Sequence, residues 1–115
     1  MASAAPNQNL PLLYREIQPL NVTQHGGMKV RPAATPPQIA NVHAVPVTVD
    51  EFGLAQRHYP IVFSIGESPI PIALMGLNEG VNVFLDQNGL IGDTTVYVPA
   101  YIRRYPFLLA RLRQG

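Results

Sequence analysis

The chain has no cysteine and no tryptophan in its 115 residues. The missing cysteine excludes disulfides, thiolate nucleophiles and cysteine-ligated zinc. Charge is also scarce: Asp, Glu, Lys and Arg make up 13% of the chain and the net charge is +1. That balance supplies no field to draw in nucleic acid or an anionic membrane surface. Long apolar runs are absent too. The densest, Ile70 to Leu77, is interrupted by Pro71 and Gly76 and falls far short of the roughly twenty residues needed to cross a bilayer. The opening Met-Ala-Ser-Ala-Ala-Pro-Asn-Gln-Asn lacks the basic and apolar regions of a signal peptide. The sequence therefore predicts no nucleic-acid binding and no membrane insertion. By its lack of a leader it also predicts a cytoplasmic location.

What is present suits one small domain. Apolar residues reach 47%, enough for a core, while twelve prolines and nine glycines favour short elements joined by turns. Residues 1–9 are small and polar and are expected to be disordered. Leu10 to Leu20, hemmed by Pro11 and Pro19, reads as an extended arm docked on a surface. Met28 to Arg31 alternates like an edge strand, and Ala33 to Ala40 reads as a polyproline linker.

From His43 the pattern tightens. Val45, Val47 and Val49 alternate as in a half-buried strand, and Pro46 places that strand at an edge. Asp50 is positioned to cap a short helix over Glu51 to His58, weakened by Gly53. Tyr59 to Ile65 and Ile70 to Leu77 read as strands buried on both faces. Val81 to Leu85 and Thr94 to Val98 add two more, with Asn88-Gly89 as a hairpin turn between them. Tyr101, Tyr105, Leu108 and Leu112 form an apolar stripe at helical spacing after Pro99, and Pro106 implies a kink. The expected architecture is α+β: an antiparallel β-meander of about 4–5 strands packed by a Pro-kinked C-terminal helix, with an extended N-terminal arm.

Catalytic patterns are missing. His25, His43 and His58 fall in three separate elements without carboxylates at metal-ligand spacing. No G-x-S-x-G elbow or phosphate-binding glycine loop occurs. Helix capping and dipole complementarity account for Asp50, Glu51, Arg57 and His58 without acid–base chemistry. No cofactor, no metal and no enzymatic activity are expected. The remaining candidates lie in one stretch, where Tyr97, Tyr101, Arg103, Arg104, Tyr105, Phe107 and Arg111, with Arg113 beyond, form a tyrosine- and arginine-rich interaction surface. The same residues also fit a solvated helix face.

Several segments taken together resemble the SapC family of bacterial proteins. They are Pro19-Leu20-Asn21 with His25-Gly26-Gly27-Met28-Lys29-Val30, Val45-Pro46-Val47 with Glu51-Phe52, and Tyr59-Pro60-Ile61-Val62-Phe63-Ser64. Pro71 to Leu77, Asn82 to Leu85 and Tyr97 to Phe107 follow in the same order. The resemblance implies a single SapC-like domain over residues 10–115 that stops where family members continue, and so looks like an N-terminal half. It implies a structural rather than catalytic protein, associated with a surface layer or the cell envelope. Its partners would be another protein, a second copy, or the missing C-terminal half. The competing expectation is a cytoplasmic accessory or peptide-binding domain.

Overall fold

A computed structural model describes residues 10–30 and 37–111. The predicted disorder of residues 1–9, most of the linker, and Arg31, Leu112 and Arg113 lie outside the described residues. The fold is α+β, with one three-stranded antiparallel sheet and three single-turn α-helices among the described residues.

The strands are β1 (Ala44–Pro46), β2 (Ile61–Phe63) and β3 (Pro71–Leu74), in the order β1-β3-β2. Val45 and Ile61 both pair with Ala73, and these three form the inner face. Val45 and Ala73 are fully buried. Pro46 pairs with Ile72 in an edge strand, as its missing N–H requires.

Among the described residues the sheet has three strands and not the expected meander of about 4–5. β2 and β3 make a hairpin, but β1 lies across β3 from it rather than beside β2. The Tyr59 to Ile65 run becomes an edge, not a strand buried on both faces, and Val62, Phe63 and Ile65 are exposed. Val81 to Leu85 and Thr94 to Val98 have strand-like composition yet form no ladder. In the first, side-chain bonds replace strand pairing: Asn82 Nδ2 donates to the carbonyls of Val42 at 3.1 Å and Ile39 at 3.3 Å. Its Oδ1 accepts from the Phe84 N–H at 2.9 Å. The Asn88-Gly89 turn does form, with Gly89 at φ 74°, but it joins loops. Asp86 organises it, its Oδ1 accepting from the N–H groups of Asn88 and Leu90.

The helices are α1 (Val22–His25), α2 (Phe52–Ala55) and α3 (Ala100–Arg103). Asn21 caps α1, accepting from the Gln24 N–H at 2.7 Å. A 3-10 turn over Val49–Glu51 leads into α2. Thr48 precedes this turn and Glu51 closes it, accepting from the Thr48 N–H at 2.8 Å; the predicted Asp50 cap is not used. Glycine in α2 has no steric reason: Gly53 is exposed, and a β-carbon there would meet nothing within 4 Å. Gly53→Ala is expected to raise stability by about 0.5–1 kcal/mol in urea unfolding, through helix propensity and a less entropic unfolded chain. A loss of stability would show that this turn is not helical.

The expected kinked C-terminal helix is also shorter than its stripe suggests. α3 is a single turn, and no helix continues past Pro106, which lacks the N–H needed to propagate one. Ile102 alone from this helix enters the core. There it joins Ile39, Val45, Val47, Tyr59, Ala73 and Met75. Tyr59 lies at the centre of that core, 1% exposed, with its ring edge-on to Phe84 at 4.6 Å.

Candidate functional site

The segment Thr94 to Arg111 has too little regular structure to hold itself in place. Two clasps of side-chain bonds fix it, and they divide the predicted surface into two halves.

The first clasp is centred on Glu51, which is 7% exposed. One carboxylate oxygen accepts from the Tyr97 hydroxyl and from the Ala100 N–H, each at 2.7 Å. The other accepts from the Thr48 N–H and hydroxyl, at 2.8 and 3.1 Å. Burial alone raises its pKa, but the bonds from Ala100, Thr48 and Tyr97 together outweigh it and leave the carboxyl below its ordinary range. Arg103 closes this side. Its Nε donates to the Val98 carbonyl at 2.9 Å, and one terminal nitrogen donates to the Tyr97 hydroxyl at 3.1 Å. Its guanidinium also stands 5.5 Å from the centre of the Tyr97 ring. From below, the Tyr59 hydroxyl donates to the Tyr97 carbonyl at 2.6 Å. Burial, and secondarily Tyr97, pushes the Tyr59 phenol up to about 12.

The second clasp holds the N-terminal arm. The Tyr14 hydroxyl donates to the Phe107 carbonyl and the Tyr101 hydroxyl donates to the Leu12 carbonyl, both at 2.7 Å. Arg104 lies 4.3 Å from the centre of the Tyr101 ring and 5.9 Å from that of Tyr14. Tyr14 and Tyr105 meet at 5.4 Å, and Gln38 donates to the Tyr105 hydroxyl at 3.1 Å. The arm is not simply extended. Leu13 is buried at φ 79°, a left-handed conformation unusual for leucine, which turns Leu12 and Tyr14 onto α3 and the segment after it.

The seven predicted residues therefore do not form one face. Tyr97 and Arg103 belong to the Glu51 clasp, and Tyr101, Arg104, Tyr105 and Phe107 belong to the arm clasp. Arg111 is exposed and joins neither. Sequence reasoning missed Glu51 as the hub. The spacing Thr48-x-x-Glu51 is a capping-box pattern that could have marked it.

Beside the Glu51 clasp, a groove of about 440 Å³ runs between the end of α2 and the 94–98 segment. Arg57, His58 and Arg103 line it together with Leu54, Val96 and Val98. More than forty positions of sequence separate Arg57 and His58 from Arg103, so their convergence was not legible. Among the described residues, no group of three or more His, Asp or Glu side chains could hold a metal ion, and no helix is long and apolar enough to cross a membrane.

A small α+β domain that uses its buried polar groups to clasp its own segments is the class these observations define. The family model SapC matches residues 20–115, and the chain belongs to the SapC family. Searches of curated proteins and of solved structures find no match.

Proposed function

We propose that the protein is a non-enzymatic structural and interaction protein, associated with the cell envelope or a surface layer. The observation that carries this reading is the β2–β3 hairpin. Val62 and Phe63 are exposed on the edge strand β2, which has no further strand beside it among the described residues, and Ile65 and Ile70 are exposed where the chain turns from β2 to β3. Consecutive apolar side chains along an open edge favour pairing with another chain, and native edges usually carry charge, proline or a cover to prevent it. The polar chemistry points the same way. Glu51, the most buried carboxylate described, has its lone pairs occupied by four internal donors and serves to hold segments together.

The reading is tested by fractionating cells with an antibody and cross-linking the envelope fraction. The expected result is a cross-linked species in that fraction which Phe63→Lys reduces at least about tenfold, as expected when a charge enters an apolar contact. A protein found only as a soluble monomer, or a cross-link indifferent to Phe63→Lys, overturns it.

A further inference from the structure

Going beyond the interaction role, we propose that the groove between α2 and the 94–98 segment binds a monocarboxylate carried on a short apolar chain. Two arginines from distant parts of the sequence line one groove without a carboxylate in its lining. The Arg57 side chain is exposed, and its guanidinium has no ion pair or hydrogen bond with any described residue. Arg103 is already fixed by Val98 and Tyr97, so little further side-chain freedom is lost when its remaining N–H groups bind an acceptor.

The nearby acids do not neutralise these guanidiniums directly. Glu51 lies behind the Tyr97 hydroxyl, which donates to the carboxylate while accepting from Arg103. Asp93 is occupied by Thr95, whose hydroxyl and N–H reach it at 2.6 and 2.9 Å. They nonetheless stand beside the groove, Glu51 behind Tyr97 and Asp93 next to Thr94, so a ligand of one negative charge is favoured over the two of a phosphate. Leu54, Val96 and Val98 give the lining an apolar part that a short hydrocarbon chain can cover and a bare inorganic ion cannot. Its volume of about 440 Å³ lies at the small end of ligand sites.

The test is an NMR titration of the full chain, following amide signals of residues 54–58 and 94–98. Hexanoate and N-acetyl-leucine are the probes; hexylammonium, N-acetyl-leucine amide and inorganic phosphate are the comparisons. Saturable shifts with at least one carboxylate, at roughly millimolar affinity, are expected. Arg57→Ala should weaken them about tenfold while leaving the spectrum elsewhere unchanged, because that side chain holds nothing in the fold. Binding of hexanoate alone would identify an aliphatic acid; binding of acetyl-leucine would identify a chain terminus. No saturable shift up to about 20 mM, twenty times the expected constant, overturns the proposal. So does binding unaffected by Arg57→Ala, equal binding of the amide or hexylammonium, or tighter binding of phosphate.

Discussion

Glu51→Ala is expected to destabilise the protein by about 3–5 kcal/mol, within the sum for two N–H groups left without an acceptor at about 1–3 kcal/mol each. The loss has several parts. The N–H groups of Thr48 and Ala100 lose their acceptor, and the segment running into α3 loses its main attachment to the 3-10 turn before α2. The hydroxyls of Thr48 and Tyr97 can rotate towards water, so their loss weighs less. A small domain has only about 5–15 kcal/mol of net stability, so the alanine variant should be partly unfolded at room temperature. Glu51→Gln is the milder probe. Its amide oxygen can keep the Tyr97 and Ala100 bonds, but its NH₂ then faces the Thr48 N–H, donor against donor.

The same carboxyl gives the pH dependence. Its folded pKa is lowered, so the unfolded chain binds the proton more tightly. Its contribution is complete above the ordinary glutamate range and is lost as pH falls through the folded value, which lies below 4.5. Urea midpoints measured at pH 7 and then stepwise below pH 4.5 should fall more steeply for the native chain than for Glu51→Gln. Equal slopes, or a Glu51→Ala midpoint matching the native one at pH 7, would sink the clasp as a source of stability.

Much of the local architecture was legible because it depends on local rules. Pro46 placed β1 at an edge, the Asn88-Gly89 pair placed a turn, and the apolar runs around Ile61 and Ile72 placed the hairpin. Misreadings arose where a side chain did the work of backbone. Asn82 was expected to sit within a strand over Val81 to Leu85. Instead it replaces a strand ladder by binding two carbonyls, which brings Phe84 onto Tyr59 and leaves Val81 and Val83 exposed. The stripe of Tyr101, Tyr105 and Leu108 suggested a long helix. Tyr101 and Tyr105 are apolar rings with polar tips, and here the tips serve the arm and Gln38 rather than a helix seam. A periodicity count cannot separate these cases. The Glu51 clasp joins Thr48, Tyr97 and Ala100 across some fifty positions, and only its capping-box half left a mark in the sequence.

Gly76→Ala is expected to cost about 3 kcal/mol, at the upper end for overpacking a core. Gly76 is buried just after β3, where the chain passes directly under the loop that begins at Asn78. A β-carbon at Gly76 would run into the Val81 carbonyl oxygen, with the Val81 carbonyl carbon at 2.9 Å and the His43 β-carbon at 3.6 Å. The obstacle is backbone, so no rotamer change relieves it. Nor can the strand end yield, because the N–H groups of Met75 and Gly76 both donate to the His43 carbonyl, at 2.6 and 3.1 Å. The loop must therefore move. That movement strains the Val83 N–H to Met75 carbonyl bond at 2.8 Å and, one residue away, the hold of Asn82 on Ile39 and Val42. Gly27→Ala is the control, since a β-carbon there meets nothing within 4 Å. Thermal unfolding should fall by about 10 °C or more for Gly76→Ala and change little for Gly27→Ala. If the two variants unfold together, the close crossing of these backbones is wrong, and with it the placement of the Asn82 loop against the sheet.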